Sequence, residues 1–156
     1  MITGYRIVKK KWASNAFDGE GARLYGGRWN SRGQSCIYLA GSESLAILEV
    51  LVHLDNAQQI NHYSLFSVSI NKKDMMLLET QALPENWQED PAPSETADLG
   101  DEWLSSQSSL ALCVPSSIVT RESNYLVNTR HPSFSPLLDS IVELEFSMDS
   151  RLLAQS

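Results

Sequence analysis

The sequence predicts an α+β fold, because short strand-like segments accompany one clear helical segment and no internal repeat is visible. Two short runs of apolar and aromatic residues, Tyr5–Val8 and Cys36–Ala40, are typical of strands. Residues 43–54 have helical character, with Ser42 at the N-cap position and Glu43 near the positive end of the helix dipole. We therefore expect a mixed or antiparallel sheet with flanking helices.

Two later segments alternate apolar and polar residues, as half-buried strands do. Phe66, Val68 and Ile70 alternate with serines. Residues 142–148 place four apolar side chains between glutamates and a serine. Both segments are predicted strands of the sheet.

A long segment from Pro84 to Ser109 separates these two strands. It contains seven acidic residues, so we expect a solvated excursion rather than a core element, with Trp87 and Trp103 as its candidate anchors. We also expect a helix that starts near Asp101 and leads into the apolar run Leu110–Val114.

Length and composition limit the number of domains and the class of protein that the chain can form. A chain of 156 residues with 42% hydrophobic content can build one compact domain, which we assign to residues 1–156. Cys36 and Cys113 have no metal-ligand spacing, so we interpret them as buried thiols in a reducing compartment. A disulfide bond between the two is the alternative. The longest apolar stretch, from Leu45 to Leu54, is interrupted by a glutamate and a histidine. We therefore expect no membrane association and a cytoplasmic location.

Charge is distributed unevenly along this acidic chain, whose formal net charge is −7. Residues 1–33 contain seven Lys/Arg and two acidic residues, a net of +5, and the rest of the chain carries −12. The overall acidity argues against DNA or RNA as a direct partner, because binding such polyanions requires many phosphate contacts. A small anion held by a few arginines is compatible with this distribution.

The basic N-terminal part includes a glycine-rich segment, residues 19–33, which holds five of the eight glycines. Its run Gly26-Gly27-Arg28-Trp29-Asn30 combines main-chain N–H groups that a ligand can approach closely with a guanidinium suited to phosphate. This combination predicts an anion site at Arg28. The alternative is a surface arginine that follows a Gly-Gly turn.

Several common catalytic motifs are absent from the sequence. The segment Gly21–Gly27 has the spacing of a P-loop opening but lacks the Lys-Ser/Thr that would follow, and no GxGxxG occurs. His53, His62 and His131 share no metal-ligand spacing, and no GxSxG motif favours a Ser-His-Asp triad. Zinc, nucleoside-triphosphate and Rossmann interpretations are therefore disfavoured.

Glu49 is the carboxylate with the most unusual neighbours, because apolar residues flank it on both sides. Burial without a partner would be costly, so its side chain either faces water or meets a positive group. Ser42, His53 and Asn56 fall on the same helical face as Glu49. An ordinary solvated stripe is therefore the alternative to a functional acid.

Other candidate residues also have purely structural interpretations. Tyr38 lies in a short apolar strand, where a core aromatic residue is more typical than a ligand contact. The two serines after Pro115 could end a strand through hydroxyl bonds to local backbone. Asn124 and Asn128 could stabilise turns. No single one of these residues is diagnostic.

Taken together, these segments resemble the successive blocks of the RES domain, a family that takes its name from arginine, glutamate and serine. Its members are toxins of bacterial toxin–antitoxin pairs, and this chain resembles a RES-domain toxin of an Xre–RES system. The resemblance runs from Arg6 to about Phe134 and continues into the final strand, with Thr129 where the family usually has proline. The blocks that carry it are Tyr5-Arg6, Gly26-Gly27-Arg28-Trp29-Asn30, Ile37-Tyr38, Leu45-Ala46-Ile47-Leu48-Glu49, Val114-Pro115-Ser116, Glu122-Ser123-Asn124-Tyr125-Leu126-Val127-Asn128 and His131-Pro132.

The resemblance implies an α+β fold related to ADP-ribosyltransferases and a site that cleaves NAD+ at the nicotinamide glycosidic bond. It implies Arg28, Tyr38, Glu49 and Ser116 as catalytic residues. Glu49 would hydrogen-bond the nicotinamide ribose and stabilise the positive charge that grows as the bond breaks, and Ser116 would close the pocket. Motif register favours Ser116 over Ser117 as the functional serine.

The resemblance also implies how the substrate is bound. Arg6 and Arg28 would grip the pyrophosphate of NAD+, Tyr38 would stack against nicotinamide or its ribose, and Asn124 would complete the binding site. NAD+ would be the substrate, with no prosthetic group and no metal. The expected partner is a cognate Xre-type antitoxin with a helix-turn-helix domain, so contact with nucleic acid would be indirect, and a homodimer within the complex is compatible with this picture.

The sequence does not identify the acceptor of ADP-ribose, and water, phosphate and a protein are the alternatives. Transfer to a protein would make the chain a protein ADP-ribosyltransferase. Two other classes of function are a non-catalytic nucleotide-binding module and a purely structural interaction domain.

Overall fold

The computed structural model describes residues 1–54 and 62–152, and within these ranges it contains seven strands and four α-helices. The strands are β1 (Ile2–Lys9), β2 (Ile37–Ala40), β3 (Tyr63–Ile70), β4 (Met75–Leu77), β5 (Ala111–Pro115), β6 (Ser123–Val127) and β7 (Val142–Leu144). The helices are α1 (Glu20–Tyr25), α2 (Glu43–Val52), α3 (Ser94–Ser106) and α4 (Phe134–Leu138).

All seven strands belong to one sheet, in the order β4-β5-β6-β2-β1-β3-β7. The pairing of β4 with β5 is parallel, and the other pairings are antiparallel. The predicted α+β class with a mixed sheet is therefore confirmed. Three of the predicted strands are confirmed. Tyr5–Val8 and Phe66–Ile70 lie within β1 and β3, and Cys36–Ala40 corresponds to β2, which begins at Ile37.

The strands bury side chains on both faces of the sheet, because neighbouring residues point to opposite sides. On one face Ile37 and Leu39 of β2 pack with Val68 and Ile70 of β3 and with Leu137 of α4. The opposite face is covered by two helices. There α3 contributes Trp103 and Leu104 to a cluster with Leu112, Val114 and Leu126, while α2 packs Leu45 and Ala46 against Ala40.

The predicted helix over residues 43–54 is confirmed as α2, which ends at Val52. The hydroxyl of Ser42 accepts a hydrogen bond from the backbone N–H of Leu45 at 3.1 Å, so Ser42 is its N-cap. Glu43 lies in the first turn, where its charge is favourable against the helix dipole.

Residues 142–148 form a shorter strand than the alternation predicts. β7 ends at Leu144 and pairs only with β3, at the edge of the sheet. Val142 is 52% exposed whereas Met148 is buried, so the four apolar residues do not share one buried face. An edge strand has hydrogen bonds on one side only, and the chain beyond Leu144 packs without continuing the ladder.

The prediction of a solvated excursion over residues 84–109 is wrong for its second half. A helix of 13 residues, α3, begins at Ser94 rather than near Asp101. Its buried residues are Thr96, Gly100, Trp103 and Leu104. Two of these four are not apolar, so hydrophobic periodicity gives little sign of the helix. The apolar run after it forms β5, the second strand from one edge of the sheet. Within the described residues, no helix is both long and apolar enough to cross a membrane.

Candidate active site

A cleft of about 780 Å³ lies between the glycine-rich segment, α2 and the segment that precedes α3. This volume lies within the range of about 300–1,000 Å³ that is typical of small-molecule sites. Five of the six predicted site residues line it, namely Arg6, Arg28, Tyr38, Glu49 and Asn124. The fold therefore brings together residues from β1, the glycine-rich segment, β2, α2 and β6.

Glu49 is half-buried in the wall of the cleft, on the side of α2 that faces β6. Its Oε1 accepts hydrogen bonds from the side-chain amide of Asn124 at 2.8 Å and from the hydroxyl of Ser116 at 3.4 Å. Burial raises the pKa of Glu49, and the hydrogen bonds from Asn124 and Ser116 and the nearby His53 act against this shift. The two side chains that donate hydrogen bonds to the carboxylate are thus neutral.

Ser116 lies beneath the cleft rather than in its lining, and its side chain is fully buried. Its Oγ accepts hydrogen bonds from the backbone N–H groups of Ile118 and Val119, at 3.1 and 3.2 Å. Ser116 thus bonds the local backbone where β5 ends, as the structural interpretation expects, and it also contacts Glu49. Ser117 and Ile118, which follow it, line the cleft.

Asn124 reaches Glu49 from the strand next to β2. On β6 it lies opposite Ala40 on one side and Val114 on the other. Its amide also donates to the carbonyl of Leu39 at 3.4 Å, which orients the amide group toward Glu49. Asn128, in contrast, donates to the carbonyl of Leu104 and accepts from the backbone N–H of Arg130, so it has a structural role.

Tyr38 is both part of the core and part of the cleft wall. Its hydroxyl donates to Oδ1 of Asn30 at 2.6 Å and accepts from the backbone N–H of Trp29 at 3.1 Å. Burial raises the pKa of Tyr38 far above that of a free phenol, so the side chain is neutral. The hydroxyl therefore fixes the glycine-rich segment, and the ring forms the surface that faces the cleft.

Arg28 extends across the cleft to the segment that precedes α3. Its Nη1 donates to the backbone carbonyls of Trp87 and Glu89, both at 2.8 Å. Gln88, Asp90 and Ala92 of the same segment line the cleft. The segment before α3 therefore forms part of the cleft wall and contacts Arg28.

Helix α3 holds the backbone around Arg28 through three close contacts. The hydroxyl of Thr96 donates to the carbonyl of Arg28 at 2.6 Å, and a carboxylate oxygen of Asp101 accepts from the backbone N–H of Ser31 at 2.9 Å. Between them Gly100 lies so close to Trp29 that a Cβ atom would be 1.6 Å from the carbonyl oxygen of Trp29. Only glycine allows this approach of the helix.

Arg6 lies at the inner end of the cleft on β1. Its Nε donates to the carbonyl of Ala16 at 2.6 Å, and its Nη1 donates to the carbonyl of Tyr38 at 3.0 Å. Desolvation lowers the pKa of Arg6, and the nearby Cys36 and Asp18 act against this shift. An arginine stays protonated in spite of such a shift, so Arg6 places a fixed positive charge beside the cleft.

A second, smaller cavity of about 260 Å³ adjoins the cleft. Four residues line both, namely Arg6, Tyr38, Glu49 and His53. From the sequence, His53 had no predicted function beyond a place in a solvated stripe with Ser42, Glu49 and Asn56. Asn56 lies outside the described residues, and Ser42 caps α2. The spacing of four residues between Glu49 and His53 was the signal that could have paired them.

Comparisons with known proteins agree with this architecture. The family model of the RES domain matches residues 3–149. "Toxin Res" of Yersinia enterocolitica is 48% identical over 148 residues, which cover 95% of this chain and 97% of the relative. "Prs ADP-ribosylating toxin" of a Sphingobium species is 36% identical over 129 residues, which cover 79% of this chain and 78% of that protein.

A solved structure shows the same fold. The crystal structure of the M. tuberculosis MbcT–MbcA toxin–antitoxin complex contains a chain that superposes with a TM-score of 0.70 at 20% identity, and the match covers 91% of this chain and 83% of the other. Because the family model spans nearly the whole sequence and relatives named as toxins align along their full length, this chain belongs to the RES-domain family.

Proposed function

We propose that this chain is the toxin of a toxin–antitoxin system and that it cleaves NAD+ at the nicotinamide glycosidic bond. The observation that carries the proposal is the presence of Glu49 and Arg28 in the lining of one cleft of about 780 Å³. A carboxylate and a guanidinium in one cavity match the two charged parts of this reaction, a cationic sugar ring and an anionic pyrophosphate. Loss of NAD+ would account for toxicity.

The reaction needs little from the protein beyond placement and electrostatics. Nicotinamide leaves NAD+ as a neutral group, so no acid is required to protonate it, unlike in ordinary glycoside hydrolysis. The transition state resembles an oxocarbenium ion, which a preorganised carboxylate stabilises. In this proposal Glu49 takes that role, and Asn124 and Ser116 keep its carboxylate oriented through their hydrogen bonds.

The arginines and Tyr38 position the substrate. Arg28 grips the pyrophosphate, exchanging its bonds to the carbonyls of Trp87 and Glu89 for phosphate oxygens, while Arg6 contributes charge at the inner end of the cleft. The ring of Tyr38 supports nicotinamide or its ribose. Ser116 acts from beneath, because its buried hydroxyl reaches Glu49 and not the cavity. NAD+ is thus the substrate, and none of these roles requires a prosthetic group.

Transfer of ADP-ribose to a protein is the second candidate, and one observation favours it. The Sphingobium relative is named as an ADP-ribosylating toxin. The cleft chemistry proposed for this chain would serve either outcome. Cleavage of the glycosidic bond is common to both, so the two differ only in what attacks the sugar.

An antitoxin is the proposed partner. The chain of similar fold comes from a toxin–antitoxin complex, and curated relatives are named as toxins. We propose an Xre-type antitoxin with a helix-turn-helix domain, a homodimer of the toxin within that complex, and action in the cytoplasm, where NAD+ is abundant. The single-domain assignment of residues 1–156 belongs to the same proposal.

The test is to incubate the purified chain with NAD+ and to measure nicotinamide by liquid chromatography, with water, phosphate or cell extract as the source of acceptor. Release of nicotinamide that depends on the protein supports the proposal. Absence of nicotinamide under all three conditions refutes it. A non-catalytic nucleotide-binding module would retain NAD+ in a binding assay and release no nicotinamide.

A further inference from the structure

His53 occupies a position in the site that the proposed roles leave unused. The wall shared by the cleft and the smaller cavity consists of Arg6, Tyr38, Glu49 and His53. The first three have roles in substrate binding or charge stabilisation, and His53 has none.

His53 lies next to Glu49 and also reaches solvent. It follows Glu49 by four residues at the end of α2, so the two side chains share one face of the helix. The two are close enough for the charge of the imidazole to influence the pKa of Glu49. The side chain of His53 is exposed, whereas Ala40, Ala46 and Tyr63 at the base of the smaller cavity are buried. An imidazole at this rim can exchange protons with bulk water.

Among the residues that the structure describes, the other groups at the smaller cavity are poor proton acceptors or, in the case of Glu49, already engaged. Arg6 from β1 is a cation whose Nε and Nη1 donate to backbone carbonyls. Tyr38 from β2 is a neutral phenol that donates to Asn30, and Tyr5 and Tyr63 add two further phenols. Glu49 accepts hydrogen bonds from Asn124 and Ser116, and in the proposed reaction its carboxylate also hydrogen-bonds the ribose. Histidine is the side chain type that commonly accepts and releases protons near neutral pH.

We propose that the acceptor of ADP-ribose approaches through the smaller cavity and that His53 takes its proton. This inference rests on the proposed function and deepens it, because it defines the class of acceptor as a neutral oxygen nucleophile, water or a hydroxyl group. A charged acceptor such as phosphate already carries its nucleophilic oxygen as an anion and needs no base.

The C1′–N bond of NAD+ breaks, and its electron pair leaves with nicotinamide, which becomes neutral. The acceptor oxygen forms the new bond to C1′, and its proton passes to a ring nitrogen of His53. Release of that proton to solvent at the exposed rim restores the neutral imidazole.

The experiment compares His53→Gln with wild type in the presence of NAD+ and azide. Azide attacks C1′ as an anion without losing a proton, whereas water requires the base. Mass spectrometry quantifies ADP-ribosyl azide and ADP-ribose from the same reaction. We expect the ratio of azide adduct to ADP-ribose to rise by about 100-fold in the variant, the lower end of what general base catalysis contributes. His62→Gln is the matched control, since that exposed histidine lies outside both cavities.

A second readout uses absolute rates and methanol. We expect the rate of ADP-ribose formation to fall by about 100-fold in His53→Gln, while the rate of azide-adduct formation stays close to that of wild type. Methanol tests whether a hydroxyl group can serve as the acceptor, because methyl ADP-riboside forms only if it does. An unchanged product ratio, or an unchanged rate of ADP-ribose formation if azide gives no adduct, overturns the role of His53. Failure of wild type to release nicotinamide would instead refute the proposed function itself.

Discussion

The two ends of the cleft are built in different ways. At one end Glu49 lies on α2, which packs directly on the sheet through Leu45 and Ala46, and two side-chain donors from β6 and the end of β5 reach its carboxylate. At the other end Arg28 lies between α1 and β2, outside any strand or helix. Its position depends on α3, about 70 residues later in the chain.

This difference indicates which changes should affect chemistry and which should affect placement. Substitutions around Glu49 change the charge and pKa of one carboxylate on a rigid element. Substitutions around Arg28 change the geometry of a segment that is held by contacts to its backbone. The acid end should therefore respond mainly in turnover and pH dependence, and the arginine end mainly in substrate affinity.

The largest expected effect is that of Glu49→Gln. The amide keeps the shape of the side chain but removes the charge that stabilises the oxocarbenium ion, so nicotinamide release should fall by about 10²–10³-fold. Affinity for NAD+, measured by calorimetry, should stay within about tenfold, or 1.4 kcal/mol. Glu43→Gln in the exposed first turn of α2 is the control and should leave turnover unchanged. Equal turnover in wild type and Glu49→Gln would remove the acid from the mechanism.

Arg28→Ala should weaken NAD+ binding rather than abolish the chemistry. Hydrogen bonds to charged groups contribute about 1.5–3 kcal/mol, so the dissociation constant should rise by roughly 10- to 150-fold. The matched control is Arg32→Ala, an exposed arginine of the same segment outside the cleft lining. A purely structural domain would show no difference between the two variants in calorimetric titration with NAD+.

Gly100→Ala tests whether α3 positions the arginine end. The added methyl would meet the carbonyl of Trp29, so helix and segment must separate, at a cost of about 1–3 kcal/mol in the free energy of unfolding. We also expect a higher KM for NAD+ with a smaller change in kcat. Gly21→Ala is the control for the free energy of unfolding, because its Cβ has no neighbour within 4 Å. Denaturant titration measures the change in stability, and initial rates give KM and kcat. Loss of stability without a change in KM would show that α3 does not position the arginine end of the cleft.

Asn124→Ala should produce the smallest of these changes, a shift in pH dependence. The amide of Asn124 stabilises the ionised form of Glu49, so its removal raises the pKa of Glu49 further. Since the carboxylate is the active form, the acidic limb of the kcat profile should move to higher pH. Ser116→Ala should move it less, because its hydrogen bond is longer. An acidic limb that stays in place or moves to lower pH would show that Asn124 does not stabilise the ionised carboxylate during turnover.

The acid end was easier to predict from sequence than the arginine end. The Ser42 cap and the periodicity of residues 43–54 are local signals, and they place Glu49 on a helix without knowledge of the rest of the fold. Thr96 and Gly100 carry no such signal. Their burial arises because α3 approaches the backbone of residues 28–31 closely, and small residues are needed at that contact.

The structure of the region after Leu144 could not be predicted from local sequence signals either. Apolar and polar residues alternate there as well as they do in β3, yet only three residues pair, because an edge strand depends on its single neighbour. His53 is a further example. Its distance of four residues from Glu49 was visible, but no sequence pattern shows that two cavities meet at that face of the helix.

The sequence by itself determined the α+β class, the central strands, the capped helix that carries Glu49 and the family to which the chain belongs. These features depend on local periodicity, capping and motif order, which act over a few residues at a time. Only the tertiary structure decided that Ser116 is buried beneath the cleft, that α3 supports Arg28 and that His53 lies between two cavities. Such features depend on packing between segments far apart in the chain, where close backbone approach and desolvation have no local sequence signal.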